Sequence, residues 1–154
     1  MMPLELASIV DRLRQHCAFG AGNGGFRQFG GAFEFADSDA KNILAPPSCF
    51  VLFGDELARV LTDSSVMETT VSSEFGVVIV AKNYQLGPVG AIEAMDALRP
   101  LRILVRKTLS GWRPPGCSQV ITCAGGKLLK NQAEHLTFVE SFRTEYQFEQ
   151  HLQF

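Results

Sequence analysis

The sequence lacks any apolar run that approaches the roughly 20 residues needed to span a bilayer as a helix. Charged residues interrupt positions 1–15, so the apolar core of a signal peptide is missing as well. Positive charge is not in excess, since 14 lysines and arginines face 16 aspartates and glutamates. This balance argues against phosphate-backbone binding as the main activity. We expect a soluble protein made in the cytoplasm, with residues 1–154 forming one domain.

The spacing that metal sites require is also missing. The four cysteines are scattered and form no C-x-x-C pair: Cys17, Cys49, Cys117 and Cys123. The histidines form no pair at helical ligand spacing: His16, His135 and His151. Because Cys49 and Cys123 lie in apolar strand patterns, we interpret the cysteines as small buried residues of a reducing compartment. The sequence therefore predicts no metal site.

Motifs for catalysis and cofactor binding are not found either. The glycines of residues 20–25 follow a predicted helix and precede a phenylalanine-rich segment, whereas a dinucleotide loop follows a strand and opens a helix. Cys123 and His135 could in principle meet across a hairpin as thiolate and base, but the pattern favours a core cysteine and a surface histidine. Glu140 and Glu145 lie on opposite faces of a strand, so they form no acid–base pair. We predict no catalytic residue, no cofactor and no enzymatic activity.

Two amphipathic helices are predicted. After Pro3, apolar residues recur at a 3.6-residue period: Leu6, Ile9, Val10, Leu13 and Cys17. Over residues 89–110 a second series follows steps of three or four: Ala91, Ala94, Leu98, Leu101, Val105 and Leu109. Pro100 lies inside this series and predicts a kink or two abutting helices. Gly111 then ends the helix, and we expect Trp112 to anchor it to the sheet.

The remaining periodic segments predict strands. Residues 48–53 form a strand that Gly54 and Asp55 stop, and residues 66–83 form a second, apolar on both faces over 75–81. Residues 119–123 form a short strand, and Gly125 and Gly126 turn the chain into a return strand from Lys127. From residue 134 apolar and polar residues alternate, which is typical of a half-solvated antiparallel strand. The fold class is therefore α+β, a mainly antiparallel sheet packed by two helices in the order α-β-β-α-β-β.

Residues 19–35 interleave glycine with phenylalanine. Dense glycine disfavours helix and strand, so we predict a Gly/Phe-rich loop or loose hairpin. Phenylalanines in a loop are not expected to remain in water, and we predict that they contact another subunit or a partner. The alternative is that the segment folds back over its own core. The interface candidates are Phe26, Phe29, Phe33 and Phe35. With only two helices predicted, a neighbouring molecule could also cover the second face of the sheet.

The order of these features resembles a known family. EFGVVIVAKN, the helix ending in LRPLRILVRKTLSGWRPPG, GGKLL and FVESFRTEY together resemble the phage tail terminator, or tail completion, proteins of the Mu-like group. The resemblance covers about residues 45–148. Its most specific pieces are FGVV-x-x-x-x-N, LSGW-x-P and F-x-T-x-Y, in that order and spacing.

The resemblance implies a structural virion protein that assembles as a homohexamer ring. Such a ring caps the head-proximal end of the tail tube, stops its polymerisation and offers a joining surface to the head. The implied partners are other copies of the chain, the major tail tube protein and a head–tail connector or neck protein. Genomic DNA would pass through the channel without specific binding, which suits the formal charge of −2. Assembly would occur in the bacterial host cytoplasm, with no membrane partner.

Three alternatives remain open. The chain could be another tail-tube or neck subunit, which discrete rings or long tubes of purified protein would distinguish. It could be a cytosolic nucleotide-binding enzyme that uses the Gly-rich segment, which nucleotide-dependent thermal stabilisation would indicate. It could also be a monomeric peptide-binding module, for which light scattering would give the mass of one chain.

Overall fold

The computed structural model describes residues 3–20, 24–40, 45–82, 88–131 and 135–153. These residues form three helices and five strands: α1 (Leu6–Cys17), β1 (Gln28–Gly31), α2 (Ala32–Ala40), β2 (Ser48–Asp63), β3 (Val66–Lys82), α3 (Pro88–Leu109), β4 (Thr122–Asn131) and β5 (His135–His151). The strands form one sheet in the order β1-β2-β3-β5-β4. Only the β1–β2 pair is parallel, so the sheet is mixed but mainly antiparallel.

The α+β class and the predominance of antiparallel pairing agree with the sequence prediction. The predicted order α-β-β-α-β-β omitted two elements, β1 and α2, which lie between α1 and β2. The five patterns with the clearest periodicity correspond closely to α1, α3, β3, β5 and the first part of β2. α3 is continuous through Pro100, which corresponds to one helix rather than two abutting ones. None of the described helices is both long and apolar enough to cross a membrane.

The segment predicted as a Gly/Phe-rich loop at residues 19–35 is partly regular. β1 pairs in parallel with the start of β2, from Gln28 opposite Ser48 to Gly31 opposite Val51. The backbone N–H of Arg27 extends this pairing by donating to the carbonyl of Pro47 at 2.7 Å. A neighbouring strand thus overrides the low strand propensity of glycine. Residues 21–23 of the segment lie outside the described residues.

The sheet is covered on both faces near its centre. We call the side that carries α1 and α3 the helix face, where the main core gathers around Phe75, Val77 and Ile79 of β3. On the opposite side, the α2 face, Phe50, Val78 and Val80 are fully buried. Phe35 of α2 packs there, with its ring centroid 5.1 Å from that of Phe50. Two-sided burial of β3 was correctly predicted. Near the centre of the second face, α2 of the same chain provides cover for which a neighbouring molecule had been considered.

β2 does not stop at Gly54 and Asp55 as predicted. Its register shifts between Phe53 and Glu56, and it then continues to Asp63. Gly54 lies so close to β3 that a Cβ there would be 2.7 Å from the carbonyl oxygen of Glu74. The glycine therefore marks a bulge with no room for a side chain and not the end of a strand.

β4 likewise differs from the predicted pair of short strands joined by a turn. It is one strand, paired with β5 from Thr122 opposite Arg143 to Asn131 opposite Leu136. Register shifts occur at 123–125 and at 128–130. Gly125 has φ of 140°, which residues other than glycine rarely adopt. The Gly-Gly pair thus lies within the edge strand, next to a register shift, instead of reversing the chain.

Candidate assembly interface

A buried carboxylate ties α3 to the sheet. Glu140 is fully buried on the helix face of β5. Nε of Arg102 donates a hydrogen bond to one of its oxygens, and Nε of Arg106 donates to the other at 2.9 Å. Hydrogen bonding to this carboxylate raises the pKa of Arg106 above its ordinary value. The Arg102 guanidinium also lies 4.2 Å from the ring centroid of Phe138. The carboxylate therefore has two cationic partners, as burial of a charge requires.

This ion pair was not predicted from the sequence. Arg102 and Arg106 are four residues apart on a predicted helix and hence on one face. Glu140 lies between Phe138 and Phe142 in the buried register of the alternating strand. These two patterns together could have indicated an ion pair between the helix and the strand. The structure adds the fact that α3 and β5 contact each other.

The LSGW motif closes the end of α3 against the start of β4. Gly111 has φ of 84°, and its N–H donates to the carbonyl of Ile121 at 2.8 Å. The N–H of Ile121 donates in return to the carbonyl of Trp112 at 2.8 Å. The half-buried Trp112 ring packs against the main core, with the guanidinium of Arg12 from α1 5.0 Å from its centroid. The motif therefore joins α3, α1 and the segment before β4.

The phenylalanine and the threonine of the F-x-T-x-Y motif also have identifiable partners. Phe142 is fully buried and stacks on Phe75, with centroids 5.5 Å apart. Oγ1 of Thr144 donates to the carbonyl of Gln119 at 2.8 Å. The motif thus connects the core of the sheet with the segment that precedes β4.

The tyrosine of the motif lies on the long part of the sheet formed by β2, β3 and β5. Its hydroxyl donates to Oε2 of Glu56 at 3.3 Å, and Oγ of Ser73 donates to Oε1 at 2.7 Å. Burial, and then the charge of Glu56, raise the pKa of Tyr146. The three strands are therefore held together by side chains as well as by backbone pairing.

The four predicted interface phenylalanines have different environments. Phe26 is buried in the main core, and its ring meets that of Phe29 edge-on at 6.0 Å. Phe29 is partly buried and lines a groove of about 440 Å³ between α1 and β1. Phe35 packs on Phe50, whereas Phe33 is 79% exposed at the start of α2. A role of these residues in subunit contacts stays a prediction, and Phe33 offers the most accessible ring.

The cysteines are mostly buried, as predicted from the sequence. Cys17, Cys49 and Cys117 are buried, and burial raises the pKa of each thiol, most strongly that of Cys49. Cys123 is exposed, contrary to the prediction, because it lies on the outermost strand β4. It cannot meet His135, since Cys123 is opposite Phe142 and seven residues of β5, about 24 Å, separate the two positions.

These environments predict the thiol reactivity of the native protein. We expect one thiol, Cys123, to react rapidly with a disulfide reagent at pH 8, and four to react in guanidinium, because the thiolate is the reactive form and needs solvent access. The colour released by the reagent counts the thiols. The variant Cys123→Ser is the control and should lose the rapid phase. Two or more rapid thiols in the native protein would contradict the burial of the other three.

Two long edges of the sheet have no strand beside them within the described residues. β1 covers β2 only as far as Val51, so β2 is an outer strand from residue 52 to residue 63. β4 forms the opposite edge over its whole length. Large apolar side chains on these edges are exposed: Phe53, Leu57, Val60, Leu61, Leu128 and Leu129. Unpaired, partly apolar edges are templates for pairing with another chain.

The sheet has helices on both faces, and its two open edges offer strands with which another chain can pair. Among the described residues, no group of three histidines, cysteines or acidic residues could hold a metal ion. A sequence model of the phage tail terminator family matches residues 1–152. The chain belongs to this family, and hence to the structural proteins of phage tails. No curated protein matches the chain. The narrower Mu-like assignment stays a prediction.

Proposed function

We propose that this protein forms a ring of six subunits that caps the head-proximal end of a phage tail tube. The ring stops polymerisation of the tube and offers its other surface to the head–tail connector or neck protein. The observation that carries the proposal is the match to the tail terminator family over nearly the whole chain. The open edges of the sheet support it, because assembly needs surfaces that a single subunit leaves unpaired.

A closed ring explains how the same protein could assemble and also end an assembly. In a ring built from head-to-tail contacts, each subunit uses both of its lateral surfaces, so no lateral surface remains for growth. Two surfaces are left, one for the major tail tube protein and one for the neck. The formal charge of −2 is compatible with a channel that DNA traverses without binding.

Polymerisation of the purified tube protein tests this function. We expect tubes assembled with the purified chain to be shorter than tubes assembled alone, with added density at one end in negative stain. The length should fall as the ratio of chain to tube protein rises, because each cap stops one tube. Heat-unfolded chain at the same concentration is the control.

Two outcomes would contradict the proposal. Tube lengths that do not depend on the chain would argue against a cap. Long tubes formed by the chain alone would instead favour a tail-tube subunit, the alternative within the same structural class.

A further inference from the structure

The two open edges carry opposite charge. Between residues 52 and 63, β2 holds three acidic residues and one basic residue: Asp55, Glu56, Arg59 and Asp63. β4, with the sequence TCAGGKLLKN, holds two lysines and no acidic residue. We propose that the β2 edge of one subunit pairs with the β4 edge of a second copy of this chain, so that the sheet continues from subunit to subunit. This proposal rests on the ring described above and names its lateral interface.

The two edges match in length. The open part of β2 has twelve residues and β4 has ten, which correspond to about 40 Å and 33 Å of extended chain. An outer strand presents a row of unpaired N–H and C=O groups along this length. Pairing the edges would satisfy these groups in both subunits.

Exposed apolar side chains lie along both edges. On β2, Leu57 is 76% exposed and Leu61 is 69% exposed, and both share the α2 face in the register with β3. Val60, on the helix face, is 52% exposed. On β4, Leu128 and Leu129 are 40% and 45% exposed. Pairing would remove part of this apolar surface from water, which is the main favourable contribution to association.

Charge favours unlike edges over like edges. Two β2 edges side by side would bring acidic residues together, and two β4 edges would bring lysines together. Charged side chains on an outer strand, lysine above all, discourage its pairing with other chains. The same lysines are attracted to an acidic partner, so the charges both select the right contact and discourage the wrong one. Pairing of unlike edges is head-to-tail and can close into a ring.

The outer edge of β5 beyond residue 143, where β4 no longer pairs with it, is less accessible. The backbone N–H groups of Ser118 and Gln119 donate to the carbonyl of Glu145, at 2.8 and 3.4 Å. Oγ of Ser118 donates to the same carbonyl at 3.2 Å. Oγ1 of Thr144 reaches the carbonyl of Gln119. The segment before β4 therefore occupies this edge as far as Glu145. Residues 146–151 of β5 are a shorter open stretch than β2 or β4, which remain the long free edges among the described residues.

Two charge-reversed variants test the pairing. In the first, Asp55→Lys and Asp63→Lys make the β2 edge basic, and in the second, Lys127→Glu and Lys130→Glu make the β4 edge acidic. Each variant alone then has like charges at every lateral contact. Light scattering in low salt measures the protein concentration at which half of the chains are assembled. We expect this concentration to be at least about tenfold higher for each variant than for the unaltered chain.

An equal mixture of the two variants is the decisive measurement. If they alternate around the ring, every contact again joins an acidic edge to a basic edge, and assembly should return to the unaltered level. Glu5→Lys with Asp11→Lys, at the exposed N-cap and on the exposed side of α1, changes the net charge by the same amount as the first variant and is its control. Circular dichroism and thermal unfolding of each variant before mixing check that it is folded.

The outcomes separate this inference from the proposed function. Suppose that the unaltered chain forms rings. If each variant then assembles normally by itself, or if the equal mixture stays dissociated, the edge pairing is overturned and the cap is left intact. Open filaments with the expected charge dependence would support the pairing and contradict the cap. An unaltered chain that remains a monomer at every concentration tested would overturn the edge pairing, and the tube-length measurement would then decide the cap by itself.

Discussion

Replacing both Arg102 and Arg106 with leucine should lower the free energy of unfolding by about 3–5 kcal/mol, because a fully buried carboxylate would lose both of its cationic partners. This is a large part of the roughly 5–15 kcal/mol that a domain of ordinary stability has. Urea unfolding at pH 7, followed by circular dichroism, measures the change. Arg99→Leu, an exposed site on the same helix, is the matched control and should change the stability by about 0.5 kcal/mol or less.

Adding Glu140→Leu to the double variant should recover most of the lost stability. Breaking a buried ion pair leaves a charge unpaired, whereas replacing the whole group with apolar side chains leaves none. The recovery therefore separates the charge effect from a general loss of packing. A double variant within about 1 kcal/mol of the unaltered chain would contradict the role of the pair. A triple variant no more stable than the double would show that packing by the arginine side chains is the larger effect.

Phe26→Ala should cost about 3–5 kcal/mol, because the ring is fully buried in the main core and its removal leaves a cavity. Phe33→Ala should change the stability by about 0.5 kcal/mol or less, since its ring is largely exposed. The two changes delete the same atoms from the same glycine- and phenylalanine-rich segment. Chemical unfolding of the two variants as unassembled subunits measures the difference in their stability.

The same pair of variants tests the predicted interface role. If Phe33 contacts a neighbouring subunit or the tube, Phe33→Ala should impair ring formation or tube capping while the fold stays stable. Equal losses of stability in the two variants would contradict the different burial of the two rings. Normal capping by Phe33→Ala would remove Phe33 from the interface.

Patterns within single segments predicted much of the fold. α1 and α3 follow from apolar residues at a helical period, and β5 follows from its alternation. β3 was predicted to be central because residues 75–81 are apolar on both faces, and it lies in the middle of the sheet. In each case the residues that decide the structure are near neighbours in the sequence, so their spacing is readable without knowing the tertiary contacts.

Predictions that relied on glycine as a signal of chain reversal were less successful. Gly54 marks a bulge in β2, and Gly125 and Gly126 lie within β4. Gly30 and Gly31 belong to β1, which exists because β2 lies beside it. Glycine permits a turn, a bulge or a close approach of two chains, and only the position of the neighbouring strand selects among them.

The candidate interface was likewise predictable from the sequence only in part. The order of the FGVV, LSGW and F-x-T-x-Y motifs pointed to the tail terminator family, and the family match confirms that membership. The interface candidates of residues 19–35 were chosen by composition, which cannot separate the buried Phe26 from the exposed Phe33. Burial depends on which elements pack around a residue, and composition contains no such information.

By itself the sequence determined the helix and strand periods, the order of the main elements and the family of the protein. Those properties depend on residues close together in the chain or on motifs in a fixed order. The tertiary structure alone decided that Glu140 meets Arg102 and Arg106, that α2 packs on the centre of the second face of the sheet, and that β2 and β4 are its open edges. These depend on contacts between residues distant in sequence, and the free energy of such contacts exceeds the local preferences of glycine and charge that sequence reasoning can read.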